Sequence, residues 1–136
     1  MTEEYAKMEL SACEAIPVEE DGLNPDVILP YSLTSEQVLK AMISFVDFLT
    51  FVNTQLNSRS IPRMEKMLMA ANFSSMVGEF MVSNIPKYCP TIVKNKYHNG
   101  HPDLIPVGQY VGDSVQYDHV GIEVKSSRYE KGWQGH

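Results

Sequence analysis

At 136 residues, with 43% apolar and 21% charged residues, the chain is long enough for one domain with its own hydrophobic core and has the composition of a globular protein. Its formal charge of −6 argues against nucleic acid only until the charge is mapped: residues 1–36 carry nine acids and one lysine, whereas residues 37–136 carry ten Lys/Arg and eight acids, a net of +2. Cys13 and Cys89 are too far apart for a C-x-x-C zinc or redox motif, and Val38–Val52 is interrupted by Lys40, Ser44, Asp47 and Thr50, so a disulfide scaffold and a membrane span are both excluded. With the acidic start "MTEEYAKMEL" offering no signal-peptide pattern, a cytoplasmic location is expected.

Residues 1–33 mix one short potential helix with three prolines and the cluster Glu19, Glu20 and Asp21, which reads as an acidic N-terminal arm; residues 34–136 read as a single domain. Thr34 can cap a helix with Gln37 at its third position. The run to Leu56 then places Val38, Met42, Phe45, Leu49, Val52 and Leu56 at alternating spacings of four and three, a helix of about six turns. Phe48 and Phe51 fall off that stripe and predict a second buried face, within the domain or against another copy in a homodimer.

Pro62 suits the first turn of a helix expected to run to about Asn72. Ser74 or Ser75 can cap the next, which carries Met76, Val77, Phe80, Met81 and Ile85 inward and is expected to stop at Pro86. Six of the eight methionines lie between Met42 and Met81, where flexible core filling accounts for them better than a cofactor role. From Pro86 the texture changes to loop, a short strand around Thr91–Val93, more loop, and two alternating segments flanking Gly112-Asp113-Ser114. Helices followed by strands indicate an α+β (mixed α/β) fold rather than a bundle.

If Val111 pairs with Val115 across the three-residue loop, opposed residues have position numbers summing to 226, and Asp103 then faces Glu123 with Cβ atoms about 5 Å apart. Lys125 shares the face of Glu123, whereas Leu104, Val120, Ile122 and Val124 make an apolar core side. Two directly opposed carboxylates destabilise a sheet unless a cation sits between them. Mg2+ suits that position, since it takes oxygen ligands, one or two carboxylates and substrate phosphate. A lysine beside the ion can orient or deprotonate water and stabilise charge on a phosphate, so these three side chains make a coherent kit for phosphodiester hydrolysis. A plain Glu123–Lys125 surface pair is the competing explanation.

Pro102-Asp103 followed by Glu123-Val124-Lys125 resembles the PD-(D/E)xK nucleases, whose best known members are the type II restriction endonucleases. Glu-x-Lys occurs once in the chain, and "HPDLI" and "GIEVKSS" are similar to restriction-enzyme sequence; the likeness spans residues 75–127. It implies a restriction-endonuclease-like core with N-terminal helices packed on a short β-meander. Asp103 and Glu123 would hold Mg2+ with the Val124 carbonyl, Lys125 would be the catalytic lysine, and Glu79 the helix-borne supporting acid. The implied partner is double-stranded DNA, cleaved to 5′-phosphate and 3′-hydroxyl ends. The family core continues with a second helix and a further strand, whereas only "SSRYEKGWQGH" follows Lys125, so the chain reads as truncated at its C-terminus.

Pro25-Asp26 lacks a following Glu-x-Lys and carries no catalytic weight. His98 and His101 lie in a loop close enough to Asp103 to approach a phosphate but read more simply as surface residues, and His119 shares the Glu123 face; His136 is uninformative. Lys87, Lys94, Lys96, Arg128 and Lys131, with Tyr97 and Trp133, could track a DNA backbone. No G-x-x-x-x-G-K-[ST] loop is present, so ATP is not expected. Two other functions share these features: a repair or recombination nuclease that recognises DNA structure, and a non-catalytic dimeric interaction module with a nuclease-like hairpin.

Overall fold

The computed structural model describes residues 2–127, and Arg128, Lys131, Trp133 and His136 lie outside them. The described chain is α+β: helices α1 (Glu3–Ala12), α2 (Ser35–Ser58), α3 (Met64–Met67) and α4 (Ala70–Tyr88) precede a two-stranded sheet of β1 (Ile92–Lys94) and β2 (Leu104–Pro106). None of these helices is long and apolar enough to cross a membrane.

Helix α2 begins as its sequence dictates. The Thr34 hydroxyl accepts from the Gln37 N–H at 3.2 Å, and the Gln37 side chain accepts from the Thr34 N–H at 2.9 Å, a reciprocal cap. Phe45 and Phe48 both meet Phe80 of α4, with ring centroids 5.3 and 5.1 Å apart, so the second face of α2 packs, half-buried, within the chain as far as Phe48. Phe51 instead stays 64% exposed.

Between α2 and α4 the expected helix to Asn72 gives way to the single turn of α3. Asn53, buried in α2, uses its carbonyl to cap the Met64 N–H at 2.9 Å and its amide to hold Glu65 at 3.0 Å, and Leu68 and Met69 then run extended. Helix α4 starts at Ala70, so Ser74 and Ser75 lie inside it rather than capping it. It also continues past Pro86 to Tyr88. A proline in the final turn leaves one carbonyl unbonded, and the Cys89 N–H still closes on Ile85 at 3.1 Å. Met67 and Met69 are exposed, so the methionine run is only partly core.

The core gathers Leu33, Ala41, Val82, Ile85, Cys89, Ile92 and Leu104, with Leu29, Tyr31, Ile122 and Val124 packed against it. Residues from before α2 thus reach the same core as the sheet. Cys13 and Cys89 are both free and buried.

β1 and β2 are antiparallel, with Val93 opposite Ile105. The expected hairpin across Gly112 to Ser114 does not form. Val111–Asp113 is a 3-10 turn, with Gly112 at φ 66° and Asp113 at φ 53°, and Val111 is 98% exposed rather than paired with Val115. Backbone and side-chain bonds from elsewhere claim this segment. The Asp113 carboxylate accepts from Gly108 at 3.0 Å, its carbonyl accepts from Lys96 at 2.9 Å, and Val115 bonds Asn95. After this excursion the chain returns to β2, where Leu104 and Ile122 form an antiparallel bridge with N···O distances of 3.0 and 2.8 Å. Those positions sum to 226. The expected register therefore holds at the bridge, although the turn assumed to set it is absent.

Candidate metal centre

Three side chains converge at this bridge. His101 and Asp103 come from the segment entering β2, and Glu123 from the returning strand; one ligand-capable atom of each lies within 4.8 Å of the others. Their positions are fixed by backbone. The Asn95 N–H bonds the Asp103 carbonyl at 2.9 Å, the His101 N–H bonds the Gln116 carbonyl at 3.0 Å, and the Val124 N–H donates to the Asp103 carboxylate at 2.9 Å.

Asn95 organises the loops around them and had no signature in the sequence. Its amide donates to the carbonyls of Pro102 at 3.0 Å and Val115 at 2.7 Å, and its side-chain oxygen accepts from the N–H groups of Tyr97 and Val115. Every polar valence of this buried amide is used, which makes it a rigid peg between β1 and the excursion.

Burial first, and then the nearby Glu123 carboxylate acting through charge and hydrogen bonding, raise the Asp103 pKa; the Val124 N–H and His101 oppose this. Glu123 itself is exposed, and its Oε1 lies 2.9 Å from His101 Nδ1. Its partner is thus His101 and not Lys125, which has no ion pair among the described residues.

Lys125, Glu79 and Val124 all line the same cleft as Asp103, a cavity of ≈ 820 Å³ that also takes in Lys94, Lys96 and Tyr97. Glu79 is exposed on α4 and stands outside the three-residue cluster. Val124 contributes its amide N–H to Asp103. His98 also lines the cleft, whereas His119 makes an edge contact with Tyr117, ring centroids 5.4 Å apart, and is not in the cluster. Lys87 is exposed and does not line this cleft.

The donor set fits a divalent cation. Two crowded carboxylates, one of them half-buried with a raised pKa, are relieved by positive charge between them, and hard dications prefer such oxygens. His101, which by sequence alone is a surface loop residue, adds a nitrogen donor. No local spacing announces it, because the chain bends at Pro102 and Asp103 and only the fold brings the imidazole to the two carboxylates.

The chain matches no protein-family model, no curated protein and no solved structure with which it was compared.

Proposed function

We propose that the protein is a divalent-cation-dependent endodeoxyribonuclease that hydrolyses phosphodiester bonds in double-stranded DNA, of the restriction type that Pro102-Asp103 and Glu123-Val124-Lys125 resemble. The observation that carries this reading is the convergence of Asp103 and Glu123 within ligand-sharing distance, with Asp103 facing a cleft that Lys125 also lines. Helix α4 packed beside the sheet, with the 104–122 bridge adding a third strand-like segment, supports a restriction-endonuclease-like core.

In this reading Asp103 and Glu123 would hold Mg2+, joined by the Val124 carbonyl. The ion, when bound, supplies Lewis-acid polarisation of the phosphate. Lys125, with no competing ion pair among the described residues, orients the attacking water and stabilises negative charge on the phosphoryl oxygens. A water oxygen bonds to phosphorus in line as the P–O3′ bond breaks, the departing 3′ oxygen takes a proton, and the 5′-phosphate remains. Glu79, which lines the same cleft, would support the cation, and Lys94, Lys96 and Tyr97 would supply contacts to the duplex backbone.

The test is incubation of the protein with linear duplex and branched DNA, with and without Mg2+, alongside Lys125→Ala. Metal-dependent cleavage of plain duplex that Lys125→Ala abolishes is the expected result. Cleavage of branched DNA alone would favour a repair or recombination nuclease, and no difference between wild type and Lys125→Ala would refute the catalytic assignment.

A further inference from the structure

The His101 imidazole is the feature of the cluster that an Asp–Glu–carbonyl site leaves unused. It is 54% exposed at the side chain, its Nδ1 lies 2.9 Å from Glu123 Oε1, and a ligand-capable nitrogen of the ring is within 4.8 Å of both carboxylate ligand atoms. Adjacent ligands of an octahedral ion with bonds of about 2.1 Å are about 3 Å apart, and opposite ones about 4.2 Å apart. The separation between His101 and Glu123 therefore matches one edge of such a coordination sphere, and the outer limit of the cluster calls for only a small contraction.

We infer that His101 is a direct third protein ligand and that the site is a His–Asp–Glu centre that selects a first-row transition dication over Mg2+. The chemistry follows from the donors. Mg2+ is held by oxygen and gains little from an imidazole, whereas nitrogen ligation strengthens binding of first-row transition ions relative to a purely carboxylate site. Each of the three is held by backbone hydrogen bonds on itself or on its neighbours. His101 is fixed through Gln116 and Asp118, whose backbone bonds it at 3.0 and 3.1 Å, Asp103 through Asn95 and Val124, and Glu123 through the adjoining Leu104–Ile122 bridge. A preformed set of this kind loses little in ordering when the ion arrives.

The inference rests on the metal-binding pair of the proposed function, but not on its chemistry. It is tested on the full chain without DNA, by titrating Mn2+ under electron paramagnetic resonance with Mg2+ as competitor, and by recording the electron spin-echo modulation of the bound ion. Expected are Mn2+ binding that excess Mg2+ displaces poorly and a 14N coupling from a directly bound imidazole. His101→Ala should lose the coupling and lower Mn2+ affinity at least about tenfold, since even outer-shell partners are worth that much, while Mg2+ affinity stays nearly unchanged. His101→Gln, which can still hydrogen-bond Glu123, should behave as His101→Ala.

Bound Mn2+ without 14N coupling in the wild type would overturn the inference, whatever the variants do. So would equal losses of Mn2+ and Mg2+ affinity in both variants, because His101 would then only position Glu123. Nitrogen-coordinated Mn2+ in a protein that cleaves no DNA would leave the centre standing and remove the nuclease function. Mg2+-dependent cleavage with no nitrogen coupling would do the reverse.

Discussion

Leu104 and Ile122 exchange both backbone hydrogen bonds, and that single bridge sets Asp103 opposite Glu123. Gly121 makes the approach feasible. Its φ is +156°, and a Cβ there would run into the Leu104 carbonyl and the Pro102 ring, which are backbone and rigid ring rather than flexible side chain. Gly121→Ala is expected to lower stability by about 2 kcal/mol or more in urea unfolding and to weaken Mn2+ binding with it. Gly112, at φ +66° with nothing near its Cβ position, provides the control, since Asn tolerates that region and Gly112→Asn should stay close to wild type. A wild-type midpoint for Gly121→Ala would show that the bridge does not depend on this close approach.

Asn95→Ala removes four hydrogen bonds from a buried position and leaves the Pro102 and Val115 carbonyls without their donor. A loss of about 3 kcal/mol is expected in chemical denaturation, from stranded polar groups more than from lost contact area. Asn95→Asp keeps the two acceptor roles but turns a negative charge toward both carbonyls, so it should be no better than Asn95→Ala. Near-wild-type stability for Asn95→Asp would mean that the two donated bonds contribute little.

The opposition of Asp103 and Glu123 agrees with the sum of 226 at the Leu104–Ile122 bridge, although the Val111–Val115 pair from which that sum was taken does not form. What the sequence does carry is that the carboxylates and the apolar Leu104 and Ile122 demand opposite faces. The turn that was assumed to set the register was not legible. Residues 107–121 are held by distant partners, Lys96 and Asn95 among them, and no local pattern announces a bond to a residue twenty positions away. The cap at Thr34 and the length of α2 were readable, because both are local. The start of α3 was not, because its Met64 N–H is capped by Asn53 reaching across from α2. His101 is hard to read for a related reason: only its neighbours in space bring this loop histidine to the two carboxylates.

Glu9 ties α1 to α3 by accepting from Lys66 at 2.6 Å and Arg63 at 3.4 Å, and Arg63 in turn meets Glu65 at 3.1 Å. The hydrogen bond from Lys66 is the largest cause holding the Glu9 pKa below its ordinary value of 4.5, with the charges of Lys66 and Arg63 adding to it. A carboxyl whose folded pKa is depressed contributes stability that is present above the unfolded value and lost as pH falls through the folded one. Wild type should therefore be more stable than Glu9→Gln at pH 7, with the gap closing once the pH drops below 4.5 through the folded value. The measurement is urea unfolding across that range by circular dichroism; a gap of constant size would mean that Glu9 acts by packing rather than by charge.

Lys125 and Glu79 share the cleft with Asp103, and their different chemistry ranks their roles in the proposed reaction. Neither belongs to the His101–Asp103–Glu123 cluster, so Mn2+ affinity without DNA should change little in Lys125→Ala or Glu79→Gln. Cleavage should separate them. A residue that orients and activates water contributes on the order of 10²–10⁴ in rate, which is the loss expected for Lys125→Ala. An acid acting from outside the ligand set is worth about 10–100-fold, which is the loss expected for Glu79→Gln. Single-turnover cleavage at saturating metal reads both. If Glu79→Gln costs as much as Lys125→Ala and also weakens Mn2+ binding, Glu79 must swing in to ligate the ion directly, and the centre holds four protein side chains instead of three.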